Sequence, residues 1–405
     1  MSVLQLILLT FKYTVSSMKW NWQQKNWPDF IYSGKALDEF ERVFLVESSK
    51  LMGATAIINE EEGRKFTIDL MSEEALKSSK IEGEILDRDS VSSSLLRQLG
   101  FAPQYSDHRA NDKEKGIAAL MVSNYEAFDQ PLSHEMMFNW QSNIIVGSWR
   151  IQDIGKYRTS EEPMQVVSGY EGHYNVHFEA PPASHVQKEM DTFIAWYNDS
   201  SPQGAHPMSP LVRASIAHIY FVSIHPFEDG NGRIGRALSE KVLAQSIGRP
   251  ALVALSHAIE KNRKEYYKQL EQNNKELTID LWMSYFSKTI LEAVHHAQKL
   301  VRFTVNKTRF FDQMQQQTNE RQAKVLSRMV AAGMDGFVGG MSVKKYMQMT
   351  GAIERTAIRD IQALEKLGAF TKTGKGRGVR YWLSLGVEFE TEKNKFLKEQ
   401  KVNHN

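Results

Sequence analysis

Residues 225–236 read HPFEDGNGRIGR. They hold a base, a carboxylate, two turn-forming glycines and two arginines. Upstream, residues 210–223 (PLVRASIAHIYFVS) put Leu211, Ile216, Ile219 and Tyr220 near helical spacing. Downstream, residues 233–247 (RIGRALSEKVLAQSI) repeat that spacing and stop at Gly248, before Pro250. The stretch is therefore read as a loop between two helices that runs into the start of the second. Unpaired backbone N–H groups and the helix dipole make such a place attractive to anions. Arg233 and Arg236, three residues apart, share a face of the first turn. Two cations beside a Gly-Asn-Gly nest suit a polyphosphate.

Each residue then takes a task. His225 has the one side chain here whose ordinary pKa, about 6.5, suits a general base near neutrality. Asp229 is a hard oxygen ligand, and one carboxylate plus nucleotide phosphates is a usual way to hold Mg2+. Gly230 and Gly232 permit close backbone approach, Asn231 is able to donate to a phosphate oxygen without adding charge, and Phe227 turns inward as an anchor. Arginines at a helix start are electrostatically unfavourable, which calls for an anionic partner.

The stretch resembles the signature of the Fic family, His-Pro-Phe-x-Asp/Glu-Gly-Asn-Gly-Arg-x-x-Arg, at every specified position. The resemblance implies a mainly α fold, with a Fic-type helical core and a β-hairpin flap. It implies Mg2+-dependent transfer of AMP from ATP to a Ser, Thr or Tyr hydroxyl of a target protein, releasing pyrophosphate. His225 would deprotonate the hydroxyl and Asp229 would hold Mg2+. Gly230, Asn231, Gly232 and Arg233, with Ile234, Gly235 and Arg236, would line the phosphate site. Residues 67–86 (TIDLMSEEALKSSKIEGEIL) look helical and contain Ser78, Glu82 and Gly83 at the spacing Ser/Thr-x-x-x-Glu-Gly/Asn. In one class of the family that pattern marks an inhibitory helix, so Glu82 would pair with Arg236 and obstruct the γ-phosphate. A carboxylate and a triphosphate do compete for one guanidinium.

Residues 164–168 (MQVVS) and 173–178 (HYNVHF), separated by a Gly-rich turn, predict a hairpin. Fic proteins similarly place a hairpin over the site, where a target strand is able to add. His173 and His177 on it are read as non-metal residues. For adenosine, the resemblance points to a segment beyond the signature, with Asn262, Tyr266 and Tyr267 as candidates. The tyrosines read equally well as core packing.

The chain has 405 residues, no cysteine and a net charge of +2. Disulfides and thiolate metal sites are excluded, and a reducing, cytoplasmic setting is expected. The apolar run at residues 4–11 is far too short to span a membrane. Residues 1–17 are expected to be a start-site extension or disordered tail, with a domain start at Met18. Then follow a helical region to residue 110, a catalytic core over 111–305, a winged-helix domain over 318–388 and a charged tail over 389–405. Amphipathic helices are expected over 36–57, 67–80, 90–99, 112–128 and 133–146, and apolar faces there would support a homodimer.

Residues 341–385 hold nine Lys/Arg against three Asp/Glu, a net of +6 that leaves about −4 for the remainder. Three helices and a basic Gly-rich hairpin (GKGRG, 374–378) resemble a winged helix, with residues 353–367 as recognition helix carrying Thr356 and Arg359. A DNA-binding regulator is therefore the alternative function. A Fic enzyme using another donor, or one removing AMP, stays open beside it. Self-modification is a further activity consistent with the resemblance.

Overall fold

The computed structural model describes residues 20–34, 37–56, 58–101, 110–170, 173–250, 253–334 and 336–385. The expected extension at 1–17, the Met18 start, the charged tail at 389–405 and the turn residues Glu171 and Gly172 lie outside them. Among the described residues the chain is mainly helical, with two small antiparallel hairpins. The described residues form two compact units, 20–50 with 67–297, and 51–66 with 298–385. The sequence boundary expected near residue 110 thus falls inside the first unit.

The helices are α1 (Asp38–Ala56), α2 (Glu60–Ile81), α3 (Arg88–Gln98), α4 (Asp112–Glu126) and α5 (His134–Ile144), then the hairpin β1 (Gln165–Tyr170) and β2 (His173–Glu179). There follow α6 (Ala183–Asp199), α7 (Pro210–Ile224), α8 (Asn231–Ile247), α9 (Leu255–Lys261), α10 (Arg263–Asn273) and α11 (Asp280–Met314). The first unit is built around α7. Leu211, Ala214, Ile219, Tyr220, Phe221 and Ile224 are all buried, and so are Arg213 and His218 on its other sides. A helix covered all round belongs in a core, and each fully buried Leu, Ile or Phe there contributes about 1.5–3 kcal/mol. Pro210 starts it at the first helical position, where a missing N–H costs nothing. α8 packs antiparallel to it through Ile234, Leu238, Val242 and Leu243 and stops at Gly248, whose φ is 75°.

The polar residues inside this core are satisfied locally. His218 lies between Ser239 Oγ at 3.2 Å and Tyr266 Oη at 2.8 Å, and burial lowers its pKa to about 3. It is a neutral core histidine.

The hairpin pairs Gln165 with Glu179 through Tyr170 with His173, with a bulge between Val166 and Val167. It is tied down from two sides. Trp22 Nε1 donates to the Glu179 carbonyl at 2.7 Å, and Trp20 packs edge-on to Phe178 at 5.4 Å. From α10's end, Asn274 Nδ2 donates to the His177 carbonyl at 3.1 Å. Val166 and Val167 stay exposed.

The second unit contains α12 (Glu320–Val330), α13 (Val343–Thr350), α14 (Glu354–Lys366) and the hairpin β3 (Phe370–Thr373) and β4 (Arg380–Leu383). Its own core is Val325, Leu326, Met329, Tyr346, Ile361 and Phe370.

Candidate active site

His225 ends α7 in the left-handed region, φ 49°, the one non-glycine with positive φ among the described residues. Strain of that kind persists only where surroundings fix it. Here Arg158 does so. Its Nε donates to the His225 carbonyl at 2.8 Å, its N–H to the Pro226 carbonyl at 3.0 Å, and its Nη2 to the Pro181 carbonyl at 2.5 Å. The imidazole Nδ1–H donates to the Val222 carbonyl at 3.2 Å, which leaves Nε2 as the free lone pair. Burial pushes the His225 pKa down to about 4, with Arg158 acting in the same direction and Glu82 opposing it. The ring is therefore neutral at physiological pH.

The loop is closed by its own side chains. Phe227 is fully buried, its N–H donates to Asn231 Oδ1 at 3.0 Å, and Asn231 Nδ2 returns a bond to its carbonyl at 2.8 Å. Asn231 thus spends its amide on the turn rather than offering it freely to a ligand. Gly230, φ 96°, caps α8, and a Cβ there would lie 2.8 Å from the Ile144 Cδ1 methyl. Asp229 is half exposed. Its Oδ1 accepts from the Gly230 N–H at 2.6 Å, and its Oδ2 is 3.5 Å from Arg233 Nη2.

Arg236 is fully buried, with Nε donating to Ser78 Oγ and Nη2 to the Ser78 carbonyl, both at 2.9 Å. Glu82 Oε1 is 2.8 Å from Nη1, an ion pair without hydrogen-bond alignment. The same carboxylate covers Gly232, where any Cβ would collide with it. Ser78, Glu82, Gly232 and Arg236 are therefore gathered at one point, the first turn of α8.

The position of Glu82 has a local cause. The Gly83 N–H bonds the Lys80 carbonyl at 3.0 Å and the Glu84 N–H bonds the Ser79 carbonyl at 2.9 Å, with Gly83 at φ 87°. This is a Schellman ending, which needs glycine just past the cap. It stops α2 at Ile81 instead of the residue 86 suggested by the sequence pattern, and it leaves Glu82 at the helix end.

Two participants escape sequence reading. Glu84 Oε2 bonds Arg233 Nη1 at 2.7 Å, while its other oxygen meets Lys113 at 2.6 Å. Both arginines of the loop thus face a carboxylate from one short segment. The signal for Glu84 was its place two residues beyond Glu82; Arg158 carried none.

A cleft of about 710 Å³ opens over His225 and Gly232. Its walls come from β1 (Val166, Val167, Ser168), from α7 (Ile219, Val222) and from α10 (Arg263, Lys264, Tyr267, Lys268). Tyr267 Oη donates to the Ile81 carbonyl at 3.2 Å, and the Arg263 guanidinium lies 5.6 Å from its ring. Tyr266 borders the cleft but is buried and bonded to His218. Asn262 is exposed at the junction of α9 and α10, next to the lining residue Arg263 but not itself part of the cleft wall. At the cleft's edge His177 bridges Ser168 Oγ at 2.6 Å and Glu271 at 3.0 Å, joining the hairpin to α10.

Residues 20–101 match a domain of unknown function (DUF4172), and residues 131–243 match the Fic/DOC family. Among similar proteins, the protein adenylyltransferase Fic of Nematostella vectensis is 34% identical over 95 residues, 23% of this chain and 20% of that protein. The protein adenylyltransferase fic-1 of Caenorhabditis elegans is 33% identical over 90 residues, 22% of this chain and 16% of that one. The chain spans about a fifth of the length of the curated relatives it matches. A Fic family protein from Desulfovibrio desulfuricans G20 aligns with TM-score 0.48 at 18% identity, over 85% of this chain and 96% of its own. Among the described residues no helix is long and apolar enough to cross a membrane. Residues 131–243, which carry His225, Asp229, Arg233 and Arg236, are a domain of the Fic/DOC family.

Proposed function

We propose that this chain is a cytoplasmic protein adenylyltransferase restrained by its own Glu82. The observation that carries the reading is that one cleft is lined by His225, by Gly232 in the first turn of α8 and by Glu82, the ion-pair partner of the buried Arg236, beside an exposed β1. ATP would lie with its phosphates on that turn, where N–H groups and Arg236 receive them. An acceptor Ser, Thr or Tyr on a target strand along β1 would give its proton to His225 Nε2. Its oxygen bonds to the α-phosphorus as the bond to the pyrophosphate oxygen breaks, and pyrophosphate leaves. The work is positioning and charge stabilisation. Asp229 fits Mg2+, since a half-exposed carboxylate beside the phosphates is what that ion uses, and the ion when bound would neutralise phosphate charge. Tyr267 and Arg263 favour a base and ribose near α10. The Glu82→Gly protein, incubated with Mg2+ and a lysate as target source, is expected to leave label on protein from α-labelled ATP and none from γ-labelled ATP. Label from the γ-position would replace AMP transfer with phosphorylation. No label from either would point to another donor nucleotide. The same gel reports self-modification.

A second reading concerns α12 to β4, whose order suits a winged helix. Arg355 and Arg359 are exposed on α14, as are Lys372 and Lys375 on the hairpin. That face suits duplex phosphates. Retention on DNA should fall steeply with salt and drop in Arg359→Glu; salt-independent or absent retention removes this reading.

A further inference from the structure

On the flank of α2, away from Arg236, Glu73 meets two histidines. Its Oε1 is 2.7 Å from His257 Nδ1 on α9, and its Oε2 is 2.8 Å from His296 Nε2 on α11. The two imidazoles stack on one another, 3.6 Å between centroids and 12° between planes. The ligating atoms of the three side chains all lie within 4.8 Å of one another. This cluster takes no part in the site described above, and among the described residues it is the one such gathering of His and carboxylate ligands.

We infer that Glu73, His257 and His296 form a binding site for a transition-metal dication of the Zn2+ class. Two imidazoles and one carboxylate are a donor set that Zn2+ takes with a fourth position left to water. Glu73 and His296 are largely buried, and the His257 side chain is 29% exposed, so water has a route to that fourth position. As placed, each ring donates a proton to its own oxygen of Glu73, so the free lone pairs lie on His257 Nε2 and His296 Nδ1, and ligation through the near nitrogens moves those protons to the far ones. An ion would replace those two shared protons. Its bonds of about 2.0–2.1 Å to nitrogen require the donors to spread slightly and one ring to tilt out of the stack. His257, the more exposed ring on a helix of seven residues, is the one with room.

The three ligands come from three helices. α2 is also held to α9 by Glu74, whose carboxylate receives the Ser256 N–H at 2.7 Å, and by Lys77 and Lys80 on Glu260 at 3.1 and 2.6 Å. An ion at this point would fasten α2, and hence Ser78 and Glu82, against Arg236. The binding itself does not rest on the transfer reading; the fastening of the inhibitor does.

The test is Co2+ titration of the tag-free full chain without nucleotide, followed by visible d–d absorption and displaced with Zn2+. One equivalent with a tetrahedral-type spectrum is expected, bound at least about 10-fold more weakly by His257→Gln and His296→Gln, and unchanged in Glu82→Gly. The Gln variants should melt as the metal-free wild type does, and only the wild type should gain stability from Zn2+. Absence of the spectrum, or an identical spectrum in both Gln variants, overturns the site. Zn2+ should lower wild-type AMP transfer and leave His257→Gln unaffected; equal effects on both overturn the fastening. A Glu82→Gly protein that binds Co2+ but transfers nothing would sink the transfer reading alone.

Discussion

Replacing Glu82 with glycine is expected to raise AMP transfer about 10- to 100-fold over the wild type, about 1.4–2.7 kcal/mol in barrier, because the terminal phosphate would no longer have to displace a carboxylate from Arg236. Glu82 Oε1 sits 2.8 Å from Arg236 Nη1 and over Gly232, the place where the terminal phosphate would be received. Its removal leaves the backbone unstrained, since the left-handed residue of the helix ending is Gly83, not Glu82. The cost appears elsewhere. Arg236 remains fully buried and loses the carboxylate that faces it, so the free variant should lose about 1–3 kcal/mol of stability and regain it when ATP is added. Initial rates with α-labelled ATP and melting curves with and without nucleotide check both halves. Glu82→Gln, which keeps the bulk over Gly232, should give a smaller increase. A Glu82→Gly rate equal to wild type would mean that Glu82 does not restrain the site, whatever the enzyme does. Glu84 stays on Arg233 in either variant, so release from Glu82 need not expose both arginines.

The sequence made the loop legible because its chemistry is local. Glycines, a His-Pro pair and arginines at fixed offsets dictate a turn into a helix without reference to the rest of the chain. α7 and α8 accordingly lie where residues 210–223 and 233–247 placed them. The spacing of Ser78, Glu82 and Gly83 was legible for the same reason, a helix ended by glycine. The long-range partners were not. Glu84 on Arg233, Arg158 on the His225 carbonyl and Glu73 on His257 and His296 join residues between 67 and 223 positions apart, and no periodicity carries that information. α6 and α9 went unread as well, α9 being only seven residues long. Asn231 shows the opposite error of emphasis, for its amide serves the loop before it serves any ligand. Tyr266 likewise turns to His218 and the core, while Tyr267 beside it keeps an exposed ring at the cleft.

In the Glu82→Gly background, His225→Ala should lower kcat by about 10²- to 10⁴-fold, the range for a lost general base, with nucleotide affinity changed only a few-fold. The imidazole makes the difference through Nε2 alone, because Nδ1–H is committed to the Val222 carbonyl. Alanine is poorly suited to φ 49°, so His225→Asn, a residue that tolerates this region, is the companion variant. If Asn restores the folded state and not the rate, backbone strain is excluded as the cause. The pH profile adds a signature that a structural role would lack. Burial disfavours the imidazolium, so the neutral, competent form persists until the pH approaches about 4 instead of the ordinary value near 6.5. Removing Glu82 takes away a charge that raises this pKa, so the acid limb in the variant moves no higher. kcat/KM, which reports the free enzyme, should therefore stay level from about pH 8 to 5.5 and fall only below that. An acid limb centred between about pH 6 and 7 would mean that His225 is solvated and does not act as the neutral, half-buried base proposed for it at the end of α7.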